Sequence, residues 1–397
     1  MTRLVFLLLL LLAAFKDDSS LIAQSEYYSE LAWHPLVSGI KRYSWIMFLL
    51  LAGVGFISLI RKRNITFGRD SSTLLIVALS GFAFLRGGVY SEALGIKLLV
   101  AFVLIIFIYI YTELILTNQG LIYYESSLRS ALVLFSLCFI LLNALNYFLG
   151  YGFVPGNPRY FGTTTQPNFI GVQLAICNII LLSKMQLKRV FSLVLLLLIF
   201  VIGVLMQIAS GSRTGLIVLM TGIIAFCFAK KMFSFKRIGF LSIISAFVIG
   251  IVCVAFLYFS PYAIMLAFDR GLNGADTRSE VWRGMIGDIL NNPLFGVGYS
   301  LAGVENSYLR GAANYGLFYA VFLLWYVQAV VRKFYKLSVG DGASEIDFGL
   351  YFSLALSLAF GGIFEGYLVD SVSVPLFVFI LVSTIPFRKS HKRFVAA

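Results

Sequence analysis

Charged side chains are scarce in this chain of 397 residues. Only 12% of the residues are Asp, Glu, Lys or Arg, whereas an ordinary soluble domain carries about 25%. Hydrophobic residues make up 60% and form long apolar runs, such as residues 98–111 and 237–259. A membrane-spanning helix needs about 17–25 mostly apolar residues, and these solid runs lack the alternation of a β-barrel strand. The composition therefore excludes a soluble globular protein and predicts an all-α polytopic membrane protein.

Histidine and cysteine are also rare. The only two histidines are His34 and His391, which excludes a histidine-rich metal site. The four cysteines lie inside apolar runs with no paired spacing, so we interpret them as small core residues: Cys138, Cys177, Cys227 and Cys253. The sequence predicts no metal and no cofactor.

The apolar runs predict about 12 transmembrane helices in one membrane domain that covers residues 1–397. Residues 4–15 could also be a signal peptide, with Ala13 and Ala14 near its cleavage site, which would leave 11 helices. We favour a retained helix because it fits the topology that the charges predict. The predicted spans are 4–15, 43–60, 71–85, 94–114, 128–149, 169–183, 190–209, 215–229, 238–259, 313–331, 348–362 and 371–387.

Basic clusters follow several of the spans and predict the orientation. When the spans are threaded alternately, every cluster falls on one face, together with 20 of the 31 Lys and Arg residues. By the positive-inside rule this face is cytoplasmic, and so is the C-terminus. The net charge of +13 is then mostly a topology signal, with some attraction to anionic lipid, and it does not indicate a nucleic acid partner.

Eleven cations remain on the external face, and eight of them are arginine. A guanidinium group matches phosphate and carboxylate oxygens in a bidentate manner, which a lysine ammonium cannot do. The alternative is that some of these cations pair with nearby Asp and Glu residues. The eleven are Lys16, Lys41, Arg42, Arg86, Lys97, Arg159, Arg213, Arg270, Arg278, Arg283 and Arg310.

Two predicted external loops are rich in polar residues. Residues 150–168 contain Gly, Pro and Asn residues that are typical of an ordered, turn-rich loop. Residues 260–312 form a longer loop, in which Thr277 and Glu280 fit a capping box at the start of an amphipathic helix. We expect this helix to lie at the external membrane surface and to end at Asn291-Asn292-Pro293. Its first turn carries Arg278, where the helix dipole favours an anion.

A carboxylate follows at Glu305, at the entrance of the next helix. Either Asn306 or Ser307 can cap this helix, which we expect to continue as the span at 313–331. The ionised form of a carboxylate is stabilised at this position, which suits a general base at neutral pH. The alternative is that Glu305 only caps the helix and that Glu365 or Asp370 is the base.

Four stretches of this sequence resemble the O-antigen ligase and Wzy-type polymerase superfamily. TRSEVWRGMIGDILNNPLFGVG at 277–298 resembles the R-x-x-x-W…P-x-x-G-x-G signature, and ENSYLRGAANYG at 305–316 resembles the H-N-S-Y-L…G segment. SGSRTG at 210–215 and the stretch from Arg159 to Asn168 match in the same order. The ligase histidine is replaced by Glu305, and the segment before it is short. Both departures favour a polymerase over a ligase.

The resemblance implies a GT-C-like membrane glycosyltransferase in the bacterial inner (cytoplasmic) membrane. Its active site would face the periplasm and act on glycans linked to undecaprenyl diphosphate, with membrane lipid and a chain-length regulator as further candidate partners. The reaction would need no metal, because fixed cations would stabilise the departing diphosphate. The candidate residues are Glu305 as base, Arg213 and Arg278 as catalytic cations, and Arg159, Arg86, Asn168, Asn306 and Trp282 as substrate-binding groups.

A transporter or lipid flippase is the competing class of protein. Such proteins place polar residues at the mid-membrane and often contain internal repeats. Asn143, Asn146 and Asn178 lie within predicted spans and favour this alternative. Most polar residues instead gather on one external face and the sequence has no clear repeat, which favours an enzyme that works at the membrane surface.

The predicted topology can be tested by cysteine labelling in a variant that lacks the native cysteines. We expect cysteines near Gly340 and Ser390 to be shielded from an impermeant thiol reagent, because these positions follow basic clusters on the cytoplasmic face. Cysteines near Gly162 and Gly274 should be labelled. Labelling of the first pair in intact spheroplasts would overturn the orientation.

Overall fold

The computed structural model describes residues 1–16, 31–61, 71–89, 92–154, 157, 159–185, 190–230, 277–298, 305–339, 346–369 and 371–386. These residues are almost entirely helical, and the only β-bridge among them joins Val154 and Asn157. The helices in the described ranges are α1 (Thr2–Ala14), α2 (Pro35–Arg42), α3 (Ser44–Arg61), α4 (Ser71–Gly87), α5 (Glu92–Asn118), α6 (Gly120–Phe148), α7 (Pro167–Leu182), α8 (Val190–Ala209), α9 (Arg213–Ala229), α10 (Thr277–Asn291), α11 (Ser307–Tyr315), α12 (Leu317–Val339), α13 (Phe348–Gly361) and α14 (Val374–Ser383).

Each predicted span within the described ranges overlaps a helix, and the span at 313–331 overlaps two, α11 and α12. The prediction for 238–259 lies outside the described residues. Within the described part of the chain, four helices are long and apolar enough to cross a membrane: Leu94–Asn118, Gly120–Phe148, Ser192–Ala209 and Leu317–Val339. The bent pair α2 and α3 would make a fifth span. Six further apolar helices have 10–17 residues. The all-helical membrane class is confirmed, and the count of about 12 spans stays a prediction.

The expected continuous helix from Asn306 into the span at 313–331 is wrong. Gly316 separates α11 from α12 and adopts φ +96°, a left-handed conformation that favours glycine. A Cβ at Gly316 would collide with the backbone of Leu294 and Phe295. The chain therefore breaks here because the turn after α10 packs against the end of α11.

Two other boundaries differ from the prediction. The amphipathic helix α10 already includes Thr277, which the capping box placed one position before the helix, and it ends at Asn291 as expected. The short helix α2, which the sequence analysis missed, begins after His34, whose Nδ1 accepts a hydrogen bond from Leu36 N at 3.3 Å. A search for long apolar runs could not reveal α2, because it has only eight residues and mixed polarity.

Helix α9 packs against α7 and α13. Glycines allow the close approach of α7 and α9: a Cβ at Gly215 would lie 2.6 Å from the Gly171 carbonyl carbon. Small residues at such crossings let helix backbones pack tightly in membranes. The packing fixes the N-terminus of α9, where Arg213 lies, against the loop that precedes α7.

The loop at 150–168 is ordered by buried amide side chains of α6, as far as it is described. Asn143 Oδ1 accepts a hydrogen bond from Thr163 N at 3.1 Å, and Asn146 Nδ2 donates to Gly162 O at 3.3 Å. Two of the three asparagines that favoured a transporter thus hold a loop. Gly162 has φ +58° and no space for a Cβ. In the labelling experiment, the cysteine that should react with the reagent is therefore better placed at an exposed residue such as Arg283.

Candidate active site

The N-terminus of α9 forms one side of the candidate site. Gly211 adopts φ +61° in the tight turn between α8 and α9, and the Ser212 side chain caps α9 by accepting a hydrogen bond from Gly215 N at 3.0 Å. Arg213 is therefore the first residue of the helix, and its side chain is exposed. Among the described residues, no hydrogen bond or ion pair involves the Arg213 guanidinium. Arg213 is thus available to an anion at the mouth of the helix.

Arg278 joins α9, α10 and two further segments. Its Nε donates to Glu305 Oε2 at 3.1 Å, and its NH2 group donates to Thr214 Oγ1 at 3.1 Å. The same NH2 group lies 3.6 Å from Glu365 Oε1. The Arg278 guanidinium therefore has one carboxylate on each side and a hydroxyl group beside the second.

The two carboxylates differ in their access to solvent. The Glu305 side chain is 24% exposed, whereas that of Glu365 is 2% exposed. Thr214 Oγ1 donates to Glu365 Oε1 at 3.1 Å, so the buried carboxylate is also bonded to α9. Glu305 is therefore accessible from solvent, whereas Glu365 is enclosed.

Burial raises the pKa of Glu365 from its ordinary 4.5 to about 7. The positive charge of Arg278 acts in the opposite direction, and the negative charge of Glu305 adds to the increase. The folded state therefore binds this proton more tightly than the unfolded chain does. The resulting contribution to stability is complete below a pH of about 4.5 and is lost as the pH rises to about 7.

The segment after Glu305 fixes that residue at the start of α11. Asn306 is the N-cap, as one of the two predicted alternatives required, and its Oδ1 accepts hydrogen bonds from Tyr308 N and Leu309 N. Asn306 has φ +62°, which asparagine tolerates better than most side chains. Because Asn306 supplies the cap, the Glu305 carboxylate is left to bind Arg278.

Arg159 and Asn168 form the opposite edge of the site. Arg159 NH2 donates to Asn168 Oδ1 at 2.9 Å, and its Nε donates to Ser210 O at 2.8 Å. Arg159 also contributes an attractive charge at Glu365. These bonds connect the loop at 150–168 to the turn that precedes Arg213.

Arg86 and Trp282 have different surroundings. Arg86 NH2 and Nε donate to Gly296 O at 2.9 Å and to Phe295 O at 3.1 Å, so this arginine fastens the turn after α10 to α4. Trp282 lies one helical turn after Arg278, and its indole N–H has no hydrogen-bond partner among the described residues. The expectation that Arg86 binds substrate thus competes with a structural role that the geometry explains.

The structure brings together Arg278, Glu305 and Glu365, which the sequence analysis proposed as separate candidates. Asp370 lies outside the described residues. Thr214 was missed, although its hydroxyl group next to Arg213 within SGSRTG was a signal for it. In the described ranges, no group of three or more His, Cys, Asp and Glu side chains could hold a metal ion.

Comparison with known proteins gives one match, to a family model described as O-antigen ligase, over residues 198–327. No curated protein and no solved structure matches the chain. The match and the apolar helices indicate a multi-pass membrane protein with a function of the O-antigen ligase or polymerase type. Over residues 198–327, which carry Arg213, Arg278 and Glu305, the predicted resemblance is confirmed, and this part of the chain is similar to the O-antigen ligase family model.

Proposed function

We propose that this protein is an O-antigen or exopolysaccharide polymerase. It transfers a growing glycan from undecaprenyl diphosphate to a sugar hydroxyl group of another lipid-linked repeat unit, on the external face of the membrane. The observation that carries the proposal is the position of Arg278 between the partly exposed carboxylate of Glu305 and the N-terminus of α9, where Arg213 is exposed. In this proposal Glu305 is the base, Arg278 is one cation, and Arg213, which is next to Thr214 in the sequence, is the second cation.

The proposed reaction is a displacement at the anomeric carbon of the donor. The acceptor oxygen forms a bond to this carbon while the bond to the diphosphate oxygen breaks. The acceptor proton passes to the Glu305 carboxylate, which acts as general base. Arg213 and Arg278 stabilise the negative charge on the departing lipid diphosphate, and the free N–H groups at the start of α9 add to the effect.

Ligation is the second candidate, because the matching family model is described as O-antigen ligase. A ligase would transfer the glycan to lipid A-core or to a protein acceptor. The glutamate at position 305 favours polymerisation, since the ligase pattern has histidine there. A flippase finds less support, because Asn143 and Asn146 are used to hold the loop at 150–168.

Purified protein in proteoliposomes with a defined undecaprenyl-diphosphate oligosaccharide tests the proposal. We expect a ladder of glycans that differ by one repeat unit, since each product can serve as the next substrate. The measurement is gel or mass analysis of the lipid-linked glycans. Transfer only to a different lipid or protein acceptor would favour the ligase, and no transfer to any of these acceptors would contradict both candidates.

We expect Arg278→Lys and Arg213→Lys each to lower the turnover number about a hundredfold, the usual cost of removing one donor at a developing charge. Lysine keeps the positive charge but cannot reproduce the fork with which Arg278 contacts Glu305 and Thr214 at once. Arg283→Lys is the matched control, because Arg283 is exposed on α10. Full activity of both lysine variants in the proteoliposome assay would exclude bidentate binding.

Glu305→Gln should reduce turnover by about 10²–10⁴-fold and leave donor binding intact, because glutamine cannot accept the proton. The helix cap is unaffected, since Asn306 provides it. Glu305→His should retain part of the activity, because imidazole can accept a proton from a similar position. Glu280→Gln, which removes an exposed carboxylate from the first turn of α10, is the control. Normal polymerisation by Glu305→Gln would show that Glu305 is not the base.

A further inference from the structure

Arg278 has two carboxylate partners, an outer one that is partly exposed and an inner one that is buried. The outer partner, Glu305, is the more exposed carboxylate and bonds to Nε, whereas the inner partner, Glu365, is buried and lies beside NH2. Thr214 Oγ1 bridges Arg278 and Glu365, because it accepts a hydrogen bond from Arg278 and donates one to Glu365. Two nitrogen atoms of one guanidinium group therefore contact two different carboxylates.

The backbone around Glu365 is fixed to the segment that carries Glu305. Ser307 Oγ donates to Glu365 O at 2.6 Å and accepts from Leu368 N at 3.1 Å, and Ser307 N donates to Gly362 O at 2.7 Å. Ser307 is two residues after Glu305. The loop that holds Glu365 and the start of α11 therefore form one unit, and the distance between the two carboxylates depends on it.

We propose that Glu365, acting through Thr214, is a positioning residue for Arg278 and is not the general base. The inference rests on the proposed function and extends it to a residue that does not contact the reacting atoms. When Glu305 accepts the acceptor proton, its ion pair with Arg278 is lost. Glu365 and Thr214 then keep the guanidinium oriented towards the diphosphate, and the buried edge of Arg278 is not left without a partner.

The charges around Glu365 are compatible with this role. Among the described residues, the charged and titratable groups that face it are Arg278, Glu305, Arg159 and Tyr367. Since burial raises the pKa of Glu365 to about 7, its neutral form is already populated near neutral pH. A neutral glutamine, which still accepts the hydrogen bond of Thr214, should therefore be tolerated far better than the loss of a base.

Four variants test the inference in the proteoliposome assay. Thr214→Val removes the hydroxyl group at constant shape and should lower kcat/KM about tenfold, within the range of up to about a hundredfold that misplacement of a catalytic group causes. Thr214→Ser should restore activity. Glu365→Gln should also cost about tenfold, and the double variant should lose no more than either single change, because both act on the same guanidinium group. Thr221→Val, two turns further along α9, is the matched control.

The pH dependence of turnover separates a positioning residue from a base. A reaction that needs an ionised general base slows towards low pH. In Glu365→Gln this fall in kcat should persist, because Glu305 still accepts the proton. Loss of that dependence together with a fall in kcat of more than a hundredfold would make Glu365 the base and overturn the inference. Normal activity of Thr214→Val would overturn it too, and so would losses that multiply in the double variant.

Failure of the positioning role can be distinguished from failure of the proposed function. The wild-type protein and Thr221→Val report whether glycan transfer occurs at all, and the other variants are read relative to them. Thermal stabilisation by a short polyprenyl diphosphate gives a second readout that needs no acceptor. Thr214→Val should require about tenfold more of this probe for the same stabilisation, whereas an unchanged requirement would contradict the positioning of Arg278.

Discussion

The contacts of one guanidinium group connect the parts of the candidate site. Arg278 lies on α10. Its guanidinium group contacts Glu305, which precedes α11, Thr214 on α9, and Glu365, which follows α13. Two carboxylates and a hydroxyl group satisfy this partly buried cation, whose desolvation would otherwise be costly. An arrangement of this kind is sensitive to its surroundings, because removal of any partner leaves a charge or a polar atom without compensation.

Backbone geometry provides the precision that this arrangement needs. Gly171 and Gly215 allow α7 and α9 to pack closely, which fixes the position of Thr214 relative to the loop at 150–168. Gly296 and Gly316 let the turn after α10 pack against the end of α11, with backbone bonds from Val297 N to Ala313 O and from Gly298 N to Asn314 O. A Cβ at Gly296 or Gly316 would collide with backbone atoms of the other segment, so this packing requires glycine at both positions. The family signature P-x-x-G-x-G thus has a packing reason in this chain.

The loops of the candidate site are held by polar groups at the ends of apolar helices. Asn143 and Asn146 hold the loop before α7, and Lys41 Nζ donates to Thr163 O at 3.0 Å while it lies over the Trp33 ring. The Lys41 side chain is almost fully buried. Here the carbonyl dipole and the aromatic face stabilise its charge. Arg159 belongs to this loop and is therefore held in a fixed position.

The sequence by itself determined where the helices lie, because apolar length and flanking charge are local properties of the chain. It also determined which motifs carry Arg213, Arg278 and Glu305, and that Asn306 or Ser307 begins a helix. Only the tertiary structure decided that Glu365 and Thr214 share Arg278, that Arg86 fastens a turn, and that Gly316 breaks the helix after Tyr315. Those outcomes depend on distances between segments far apart in the chain, and no local pattern of residues encodes such distances.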